Sequence, residues 1–267
     1  KYDVSVIVAT MRSDTWVKAY ESVKESLGND FTFEMIFIGP TLPGLDFYQI
    51  PDKKFIWDKS CVSRCFQQAL ILAEGTYITI HPDDGHWIKD EQGILLKQIK
   101  EMNNPKAIGA NKYVEGQNLY GPTHHRHFGH HTWFAGHSGD FQSKTINPNW
   151  VICLQFIFPR QYLMELGGWD CEFEYPNFGG HDLMFRAQMD GAIVKLSDRF
   201  SIHVDFTEGR DKDVDPVIGS QEYHDRDLFK KYYSEAYFKD KPRPIKLDIN
   251  NWKNVPAVWE RRWGKPS

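Results

Sequence analysis

Two kinds of hydrophobic pattern alternate along the first part of the chain. The run at 4–10 is apolar and β-branched almost throughout, which is typical of a parallel strand buried on both faces. Apolar residues then recur at helical spacing over 16–27, and Gly28 follows as a helix end. A second buried run at 33–38 completes the pattern. The first forty residues therefore predict a βαβ unit with a central first strand.

The same alternation continues to about residue 110. It predicts an edge strand at 55–57, a helix at 62–73, a strand at 77–80, a helix at 94–102 and a short strand at 107–110. We expect Asp58 or Ser60 to cap the helix that starts near residue 62. Strands that alternate with helices predict a parallel sheet, and such sheets bind ligands at the carboxyl ends of their strands.

Periodicity is lost over 111–149, a stretch rich in Gly, Asn, His and aromatic residues. A segment of this length without periodicity is more typical of a binding loop than of a connection. The later elements are predicted as a strand at 150–158, a helix at 161–166, a helix at 182–190, strands at 192–196 and 200–204, and a charged amphipathic helix at 220–237. The tail from Lys241 is expected to wrap the body.

Composition narrows the class of protein. The 267 residues are 41% hydrophobic and 15% aromatic, enough for the core of one α/β domain. A net charge of −4 gives no general attraction to nucleic acid, so we expect no nucleic-acid partner. Four cysteines without zinc-ribbon spacing indicate reduced thiols and a cytoplasmic, intracellular setting. No apolar run reaches the ~18 residues of a membrane helix, although a trimmed signal or anchor stays open.

Two adjacent carboxylates, Asp83 and Asp84, directly follow the strand at 77–80 and precede Gly85. Mg²⁺ and Mn²⁺ are commonly held by one or two carboxylates together with substrate phosphates, so the turn predicts a metal-diphosphate site. The alternative is a solvated turn in which an Asp caps the next helix. The loop after the first strand is expected at the same sheet edge. No dinucleotide-binding or P-loop motif is present.

Several blocks, taken in their order, resemble the family 2 glycosyltransferases of the GT-A fold across residues 3–205. These blocks are Val4-Ser5-Val6-Ile7-Val8-Ala9-Thr10, Arg64 with Ala69, Ala73-Glu74-Gly75-Thr76-Tyr77-Ile78 leading into Pro82-Asp83-Asp84, Leu166-Gly167-Gly168-Trp169-Asp170, and Asp182-Leu183-Met184-Phe185-Arg186 with Gly191. The resemblance implies an α/β GT-A fold, with a mostly parallel central sheet flanked by helices. It implies a glycosyltransferase domain at 1–210, divided into a nucleotide-sugar half (1–110) and an acceptor half (111–210), with a helical extension at 211–267.

The resemblance also implies an activity. It predicts a hexosyltransferase that uses Mn²⁺ or Mg²⁺, inverts the anomeric centre, and moves a sugar from a UDP- or GDP-sugar to the hydroxyl of a carbohydrate or glycoconjugate acceptor. The expected nucleotide-sugar-binding residues are Thr10, Arg12, Asp14, Arg64, Asp83 and Asp84. Asp84 and His203 are the expected metal ligands, since Pro82 takes the place of the family's usual first acid. Gly39-Pro40 likewise replaces an Asp that often contacts the base and ribose.

The catalytic base is assigned less directly. If the chain is matched to a Gly-Gly-Glu-Asp motif, Asp182 is the base; if it is matched to Glu-Asp-x-Asp-Leu, the base position holds Gly180. We predict Asp182, with His181 as the competing base. Trp169 and Asp170 are expected to face the acceptor, and the alternative for Trp169 is core packing.

A histidine-rich stretch interrupts the segment without periodicity, at His124, His125, His127, His130, His131 and His137. Zinc binding is one explanation, although the spacing matches no zinc motif. We expect an acceptor-side wall instead, with His130 and Trp133 in contact with the acceptor. Two other functions stay open for the whole chain: a nucleotidyltransferase, and a catalytically inactive nucleotide-sugar-binding module.

Overall fold

A mixed sheet of nine strands forms the centre of the protein. The computed structural model describes residues 1–115, 126–128, 131–132, 150–204, 215–233 and 243–255. Within these residues, eight strands follow one another in the order β3-β2-β1-β4-β10-β6-β11-β5, and β7 pairs with β6. A separate two-stranded sheet joins β8 to β9.

The elements alternate along the chain. The strands are β1 Tyr2–Ala9, β2 Phe33–Gly39, β3 Lys53–Trp57, β4 Gly75–Ile80, β5 Gly85–Trp87, β6 Ala107–Glu115, β7 Arg126–Phe128, β8 His131–Thr132, β9 Val151–Ile152, β10 Phe156–Pro159 and β11 Ile193–Val204. The helices are α1 Trp16–Leu27, α2 Val62–Leu72, α3 Glu91–Glu101, α4 Arg160–Glu165, α5 Pro176–Met189 and α6 Asp215–Tyr233. Short 3₁₀ turns lie at Ser13–Thr15, Gly28–Asp30, Leu45–Gln49 and Asn251–Asn254.

The first four strands pair in parallel and place β1 between β2 and β4. Strand β10 is inserted antiparallel between β4 and β6, and β11 runs parallel to β6 and antiparallel to β5. The predicted α/β class and the central place of β1 are therefore confirmed. The sheet as a whole is mixed, because β10 and β5 run against their neighbours.

The side chains of β1 point alternately into two hydrophobic layers, one on each face of the sheet. Val6 and Val8 pack with Trp16 of α1 on one face of the sheet. Ile7 packs on the other face with residues of α2, α4 and α5, including Leu183. Because successive side chains of a strand point to opposite faces, a continuous apolar run is needed to fill both layers.

Several predicted boundaries differ from the structure. Helix α5 begins at Pro176, ahead of the predicted start at residue 182, with the proline in its first turn where no amide donor is needed. The N-cap of α2 is Cys61 and makes no side-chain cap, so the prediction of Asp58 or Ser60 is wrong. The two strands predicted at 192–196 and 200–204 form one strand, β11, with irregular register along β6.

The C-terminal segment 243–255 lies against the body, as predicted for the tail. The Leu247 amide donates to the Leu166 carbonyl at 3.0 Å, and the Gln67 side chain donates to the Ile249 carbonyl at 2.8 Å. We call residues 243–255 the C-terminal strap. Where the structure describes the chain, none of its helices has the length and apolar character needed to cross a membrane. The proposed division at residue 210 stays a prediction.

Candidate active site

The loops that follow β1 and β4 meet at the carboxyl edge of the parallel strands. The Nη1 atom of Arg12 lies 2.6 Å from Oδ1 of Asp83, and the Met11 amide donates to Oδ2 at 3.4 Å. Both charged side chains are partly exposed. A guanidinium held in this way at a sheet edge is suited to bind phosphate oxygens. The expected meeting of the two loops is confirmed.

Thr10 shapes the loop that carries Arg12. Its buried Oγ1 accepts hydrogen bonds from the Arg12 amide at 2.9 Å and from Nε1 of Trp16 at 3.2 Å. The Thr10 hydroxyl is therefore used within the loop, while Asp14 is exposed in the turn Ser13–Thr15. Their predicted contacts with the nucleotide stay predictions.

Gly39 stands where the resembled family often carries an Asp, and the structure explains the glycine. A Cβ atom at Gly39 would lie 1.8 Å from the carbonyl oxygen of Thr10. The ends of β1 and β2 approach so closely that no side chain fits between them. If a nucleotide binds at this edge, other residues must contact its nucleobase.

Strand β5 follows Asp84 and pairs with β11, which carries His203. His86 pairs with His203 across β5 and β11, with ring centroids 4.8 Å apart in edge-to-face contact. Asp84 precedes β5 by one residue, and Gly85 pairs with Val204. The contact of His86 with His203 was not predicted, because the two residues lie more than a hundred positions apart in the chain.

The residues at β5 fit a particular kind of cation. Among the residues that the structure describes, no group of three or more His, Cys, Asp or Glu side chains could hold a metal ion. A complete protein cage is therefore not seen in those ranges. Asp84 together with substrate phosphates and water would suit Mn²⁺ or Mg²⁺, since both prefer oxygen ligands, and His203 as a further ligand stays a prediction.

Arg64 has a different role from the one predicted. Its Nε lies 3.0 Å from Oδ2 of Asp58, and its Nη1 donates to the carbonyls of Trp252 at 2.5 Å and Val255 at 2.6 Å. The guanidinium is buried and lies over the Trp252 ring. Arg64 thus binds the C-terminal strap, and the structure shows this contact where a contact with the nucleotide was predicted.

Asp182 is enclosed in a network of charges. Its Oδ2 accepts from Nε of Arg186 at 2.8 Å, and its Oδ1 accepts from the Tyr233 hydroxyl at 2.7 Å and from Nε of Arg243 at 2.8 Å. Burial raises the pKa of this carboxyl, but the charges of Arg243 and Arg186 lower it by more. The resulting pKa is about 2. A general base must reach the acceptor and take its proton. The burial and the two arginine partners of Asp182 argue against this role, and Asp182 as the base stays a prediction.

Gly179 and Gly180, the glycines before His181, lie in close packing. A Cβ at Gly180 would lie 3.1 Å from Cδ1 of Leu154, and one at Gly179 would lie 2.7 Å from Oγ of Ser63. Ser63 is in the first turn of α2, which starts at the carboxyl edge of the sheet. The first half of α5 thus lies at the same edge as the loops of β1 and β4.

His181 follows these glycines and is partly exposed. Its ring lies edge-on to Phe178, with centroids 5.9 Å apart, and to Phe229, with centroids 6.4 Å apart. Of the two predicted bases, Asp182 is fully buried and His181 is partly exposed.

The two residues predicted to face the acceptor are buried. Trp169 has no exposed surface and packs against Phe66, at 5.2 Å between ring centroids, and Phe156, at 5.9 Å. Asp170 pairs with Arg243, and burial together with the charge of Asp182 raises its pKa while Arg243 lowers it. Both predictions are corrected: Trp169 takes the core role left open above, and Asp170 joins the Asp182 network.

Other predicted acceptor residues, His130 and Trp133, lie outside the described residues. Of the histidine-rich stretch, the structure describes the backbone of β7 and β8, which contain His127 and His131. Arg243, the cation that joins Asp170 to Asp182, was missed in the sequence. It stands between two prolines in the tail, where no local pattern marks it.

Solved structures with a similar fold are known. TarS of S. aureus, residues 1–349 in complex with UDP, matches with a TM-score of 0.53 and 15% identity over 88% of this chain and 68% of that chain. TarS 1–349 in a second structure matches with a TM-score of 0.54 and 15% identity over 94% and 71% of the two chains. A longer TarS chain matches with a TM-score of 0.54 and 16% identity over 88% of this chain.

This chain spans 41% of the length of that longer TarS structure. No protein family and no curated protein sequence matches the chain. At these identities the likeness shows the fold, which is mixed α/β of the GT-A type.

Proposed function

We propose that the protein is a glycosyltransferase of the family 2 type, which moves a hexosyl group from a nucleotide-diphosphate sugar to an acceptor hydroxyl. The observation that carries the proposal is the Arg12–Asp83 pair at the carboxyl edge of a GT-A sheet. The TarS structure in complex with UDP supports a UDP-sugar as the donor to test first.

The donor edge supplies binding and charge. The Arg12 amide donates to the Thr10 hydroxyl, and the Arg12 guanidinium donates to Asp83. In the proposed complex the guanidinium binds the diphosphate. Asp84 and His203 would hold Mn²⁺ or Mg²⁺, which when bound neutralises the negative charge of the leaving nucleoside diphosphate. Both groups act on the bond that breaks, between the anomeric carbon and the phosphate oxygen.

The acceptor side supplies the base. In the proposed reaction His181 takes the proton of the acceptor hydroxyl as the oxygen attacks the anomeric carbon from the face opposite the diphosphate. One new C–O bond forms, the C–O bond to phosphate breaks, and the anomeric centre is inverted. The acceptor class is a carbohydrate or a glycoconjugate.

The test is turnover of UDP- and GDP-hexoses with Mn²⁺. We expect release of the nucleoside diphosphate, and we expect Arg12→Ala to lower kcat/KM by about 100-fold because the diphosphate loses its cation. Arg199→Ala is the matched control, since Arg199 is an 81% exposed side chain on β11, outside the donor-edge loops.

The products separate the alternatives. Release of pyrophosphate would identify a nucleotidyltransferase, and binding of the donor without any release would identify an inactive binding module. Metal dependence is tested separately by titrating Mn²⁺ into the protein with UDP. Asp84→Asn is expected to weaken that binding, and an unchanged affinity would remove Asp84 from the metal site.

A further inference from the structure

Four large apolar side chains project into solvent from one part of the sheet edge. Leu42 is 68% exposed, Leu45 is 86%, Tyr48 is 74% and Trp57 is 49%. Single exposed apolar residues are ordinary on protein surfaces. Here, half of the strongly exposed large apolar residues in the described ranges fall within sixteen positions of the chain. We call these four residues the apolar patch.

The turn that carries two residues of the apolar patch is anchored in the hydrophobic core. Leu45 and Tyr48 belong to the 3₁₀ turn Leu45–Gln49, where three residues per turn put both side chains on one side. Between them, Phe47 points inward and packs against Trp16, with ring centroids 5.5 Å apart, and against Phe37, at 5.9 Å. The exposed side chains are therefore held outward by an anchored turn.

Trp57 continues the patch from the neighbouring strand. It is the last residue of the edge strand β3 and pairs with Gly39, three residues before Leu42. Trp57 shares a face of β3 with Phe55, and Phe47 of the turn packs against Phe55 with ring centroids 6.3 Å apart. The exposed indole and the exposed turn thus lie along the same face of the edge strand.

Lysines flank the aromatic members of the patch. The Nζ atom of Lys53 lies 6.0 Å from the Tyr48 ring centroid, and Nζ of Lys59 lies 5.6 Å from that of Trp57. Asp46 is the acid in the turn, and it accepts from the Gln49 amide at 3.2 Å. Leucine, tyrosine and tryptophan bordered by lysine are the residues that anchor proteins at a lipid headgroup layer.

We propose that the apolar patch docks the protein on the surface of an anionic lipid bilayer. Leu42, Leu45 and the two aromatic rings enter the headgroup layer, and the ammonium groups of Lys53 and Lys59 contact lipid phosphates. A protein partner fits less well, because lysine is depleted in the centres of protein–protein interfaces. A projecting turn also suits a deformable lipid layer.

Docking in this way has a consequence for the donor edge. The Thr41 hydroxyl, next to Leu42, donates to the Met11 carbonyl at 2.8 Å in the loop that carries Arg12. The membrane surface would therefore lie beside that loop. The proposal itself rests on the patch alone and is independent of the proposed catalytic function.

The experiment is co-sedimentation of the full chain with vesicles. We expect binding to vesicles made of equal parts of phosphatidylcholine and phosphatidylglycerol, and weaker binding in high salt. Leu45→Ser combined with Tyr48→Ser should lower the partition coefficient by about tenfold or more, since both changes remove apolar surface that the lipid would bury. Lys53→Gln with Lys59→Gln should reduce binding to the level seen with phosphatidylcholine alone.

The matched control is Leu72→Ser combined with Ile193→Ser, at residues that are 50% and 49% exposed elsewhere on the molecule. This control should bind like the wild type, and circular dichroism should show that all variants fold. The proposal is overturned if the wild type binds neither vesicle, or if the patch variant and the control bind equally. It is also overturned if light scattering shows a dimer that the patch variant dissociates while vesicle binding is absent.

Discussion

Asp182 receives hydrogen bonds on both carboxylate oxygens inside the protein, and it has no exposed surface. Two arginines, Arg186 and Arg243, face it, and Asp170 shares Arg243. The cluster thus balances two cations with two carboxyls. Removing one member of such a buried set leaves an opposite charge without compensation, which costs more than the pair itself contributes.

Asp182→Asn should therefore destabilise the fold. We expect the free energy of unfolding to fall by about 3–5 kcal/mol, measured by urea denaturation, because Arg243 and Arg186 would keep their buried charges. Asp30→Asn is the control, since Asp30 pairs with Lys97 on the surface and its loss should change stability little.

The same variant separates the two roles considered for Asp182. An Asp182→Asn protein that unfolds like the wild type but has lost sugar transfer would restore this residue as the catalytic base. Loss of stability with partial turnover in the folded fraction would agree with the structural role.

His81 should make stability depend on pH. The ring is fully buried, with Nε2 3.0 Å from the Ser22 hydroxyl, and burial lowers its pKa from 6.5 to about 3. Below pH 6.5 the unfolded chain binds a proton at this residue and the folded chain does not, so folding weakens as the pH falls. We expect a loss of about 1.4 kcal/mol per pH unit between pH 6 and pH 4 from this residue.

His81→Gln removes that titration and can keep the bond to Ser22. Urea denaturation at several pH values should show a shallower slope for the variant than for the wild type. Equal slopes would mean that His81 is protonated in the folded state.

The two glycines after α4 allow the C-terminal strap and helix α2 to pack closely against the turn that contains them. Gly167 and Gly168 have φ values of +82° and +69°, a backbone conformation that side chains disfavour. A Cβ at Gly167 would also lie 2.1 Å from the Leu247 carbonyl oxygen, and one at Gly168 would lie 2.0 Å from Oε1 of Gln67. The strap and helix α2 thus approach the backbone of this turn directly.

Gly167→Ala and Gly191→Ala form a matched pair that measures this approach. Gly191 ends α5 with a φ of +85°, and a Cβ there meets nothing within 4 Å. Gly191→Ala should cost about 1–2 kcal/mol from backbone strain. Gly167→Ala should cost about 1–3 kcal/mol more, because the strap must move. Similar melting temperatures for the two variants would show that the strap adapts easily.

At the scale of elements, much of the fold could be predicted. Continuous β-branched runs and 3.6-residue spacing predicted β1, α1, β2 and the edge position of β3, since these signals are local. The insertion of β10 between β4 and β6 was not predicted. Pairing between distant strands depends on packing across the whole sheet, which no window of sequence contains.

The candidate site was predicted less completely, for a related reason. The meeting of the loop after β1 with the turn at Asp83 follows from strand order and was predicted, whereas the ion pair of Arg12 with Asp83 was not. Burial cannot be inferred from a motif, so Trp169 was predicted to face the acceptor and Asp182 to act as the base, although both are enclosed. Both residues belong to sequence blocks that resemble family motifs. Polar and aromatic residues in such blocks can stabilise the fold as well as bind ligands or catalyse a reaction.

At the scale of the molecule, the C-terminal strap connects separate parts of the protein. Arg243 enters the Asp182 network, the Ile249 carbonyl accepts from Gln67, and the Val255 carbonyl accepts from Arg64. These contacts hold α2, the turn after α4 and helix α5 with one stretch of chain.

A chain that ends at residue 242 should therefore be much less stable than one that ends at residue 255. The shorter chain leaves Asp182 without Arg243 and Arg64 without its carbonyl partners, so we expect it to lose cooperative unfolding in calorimetry. The longer chain keeps every contact described for the strap and should melt near the full-length protein. Equal melting of both truncated chains would contradict this role of the strap.

The position of Arg243 late in the chain also affects the order of folding during synthesis. Helix α5 leaves the ribosome with Arg186 but before Arg243, so Oδ1 of Asp182 must stay hydrated until about sixty further residues have emerged. The nascent chain should accordingly stay sensitive to protease at α5 until translation passes the strap. Protection would then arise in a single late step.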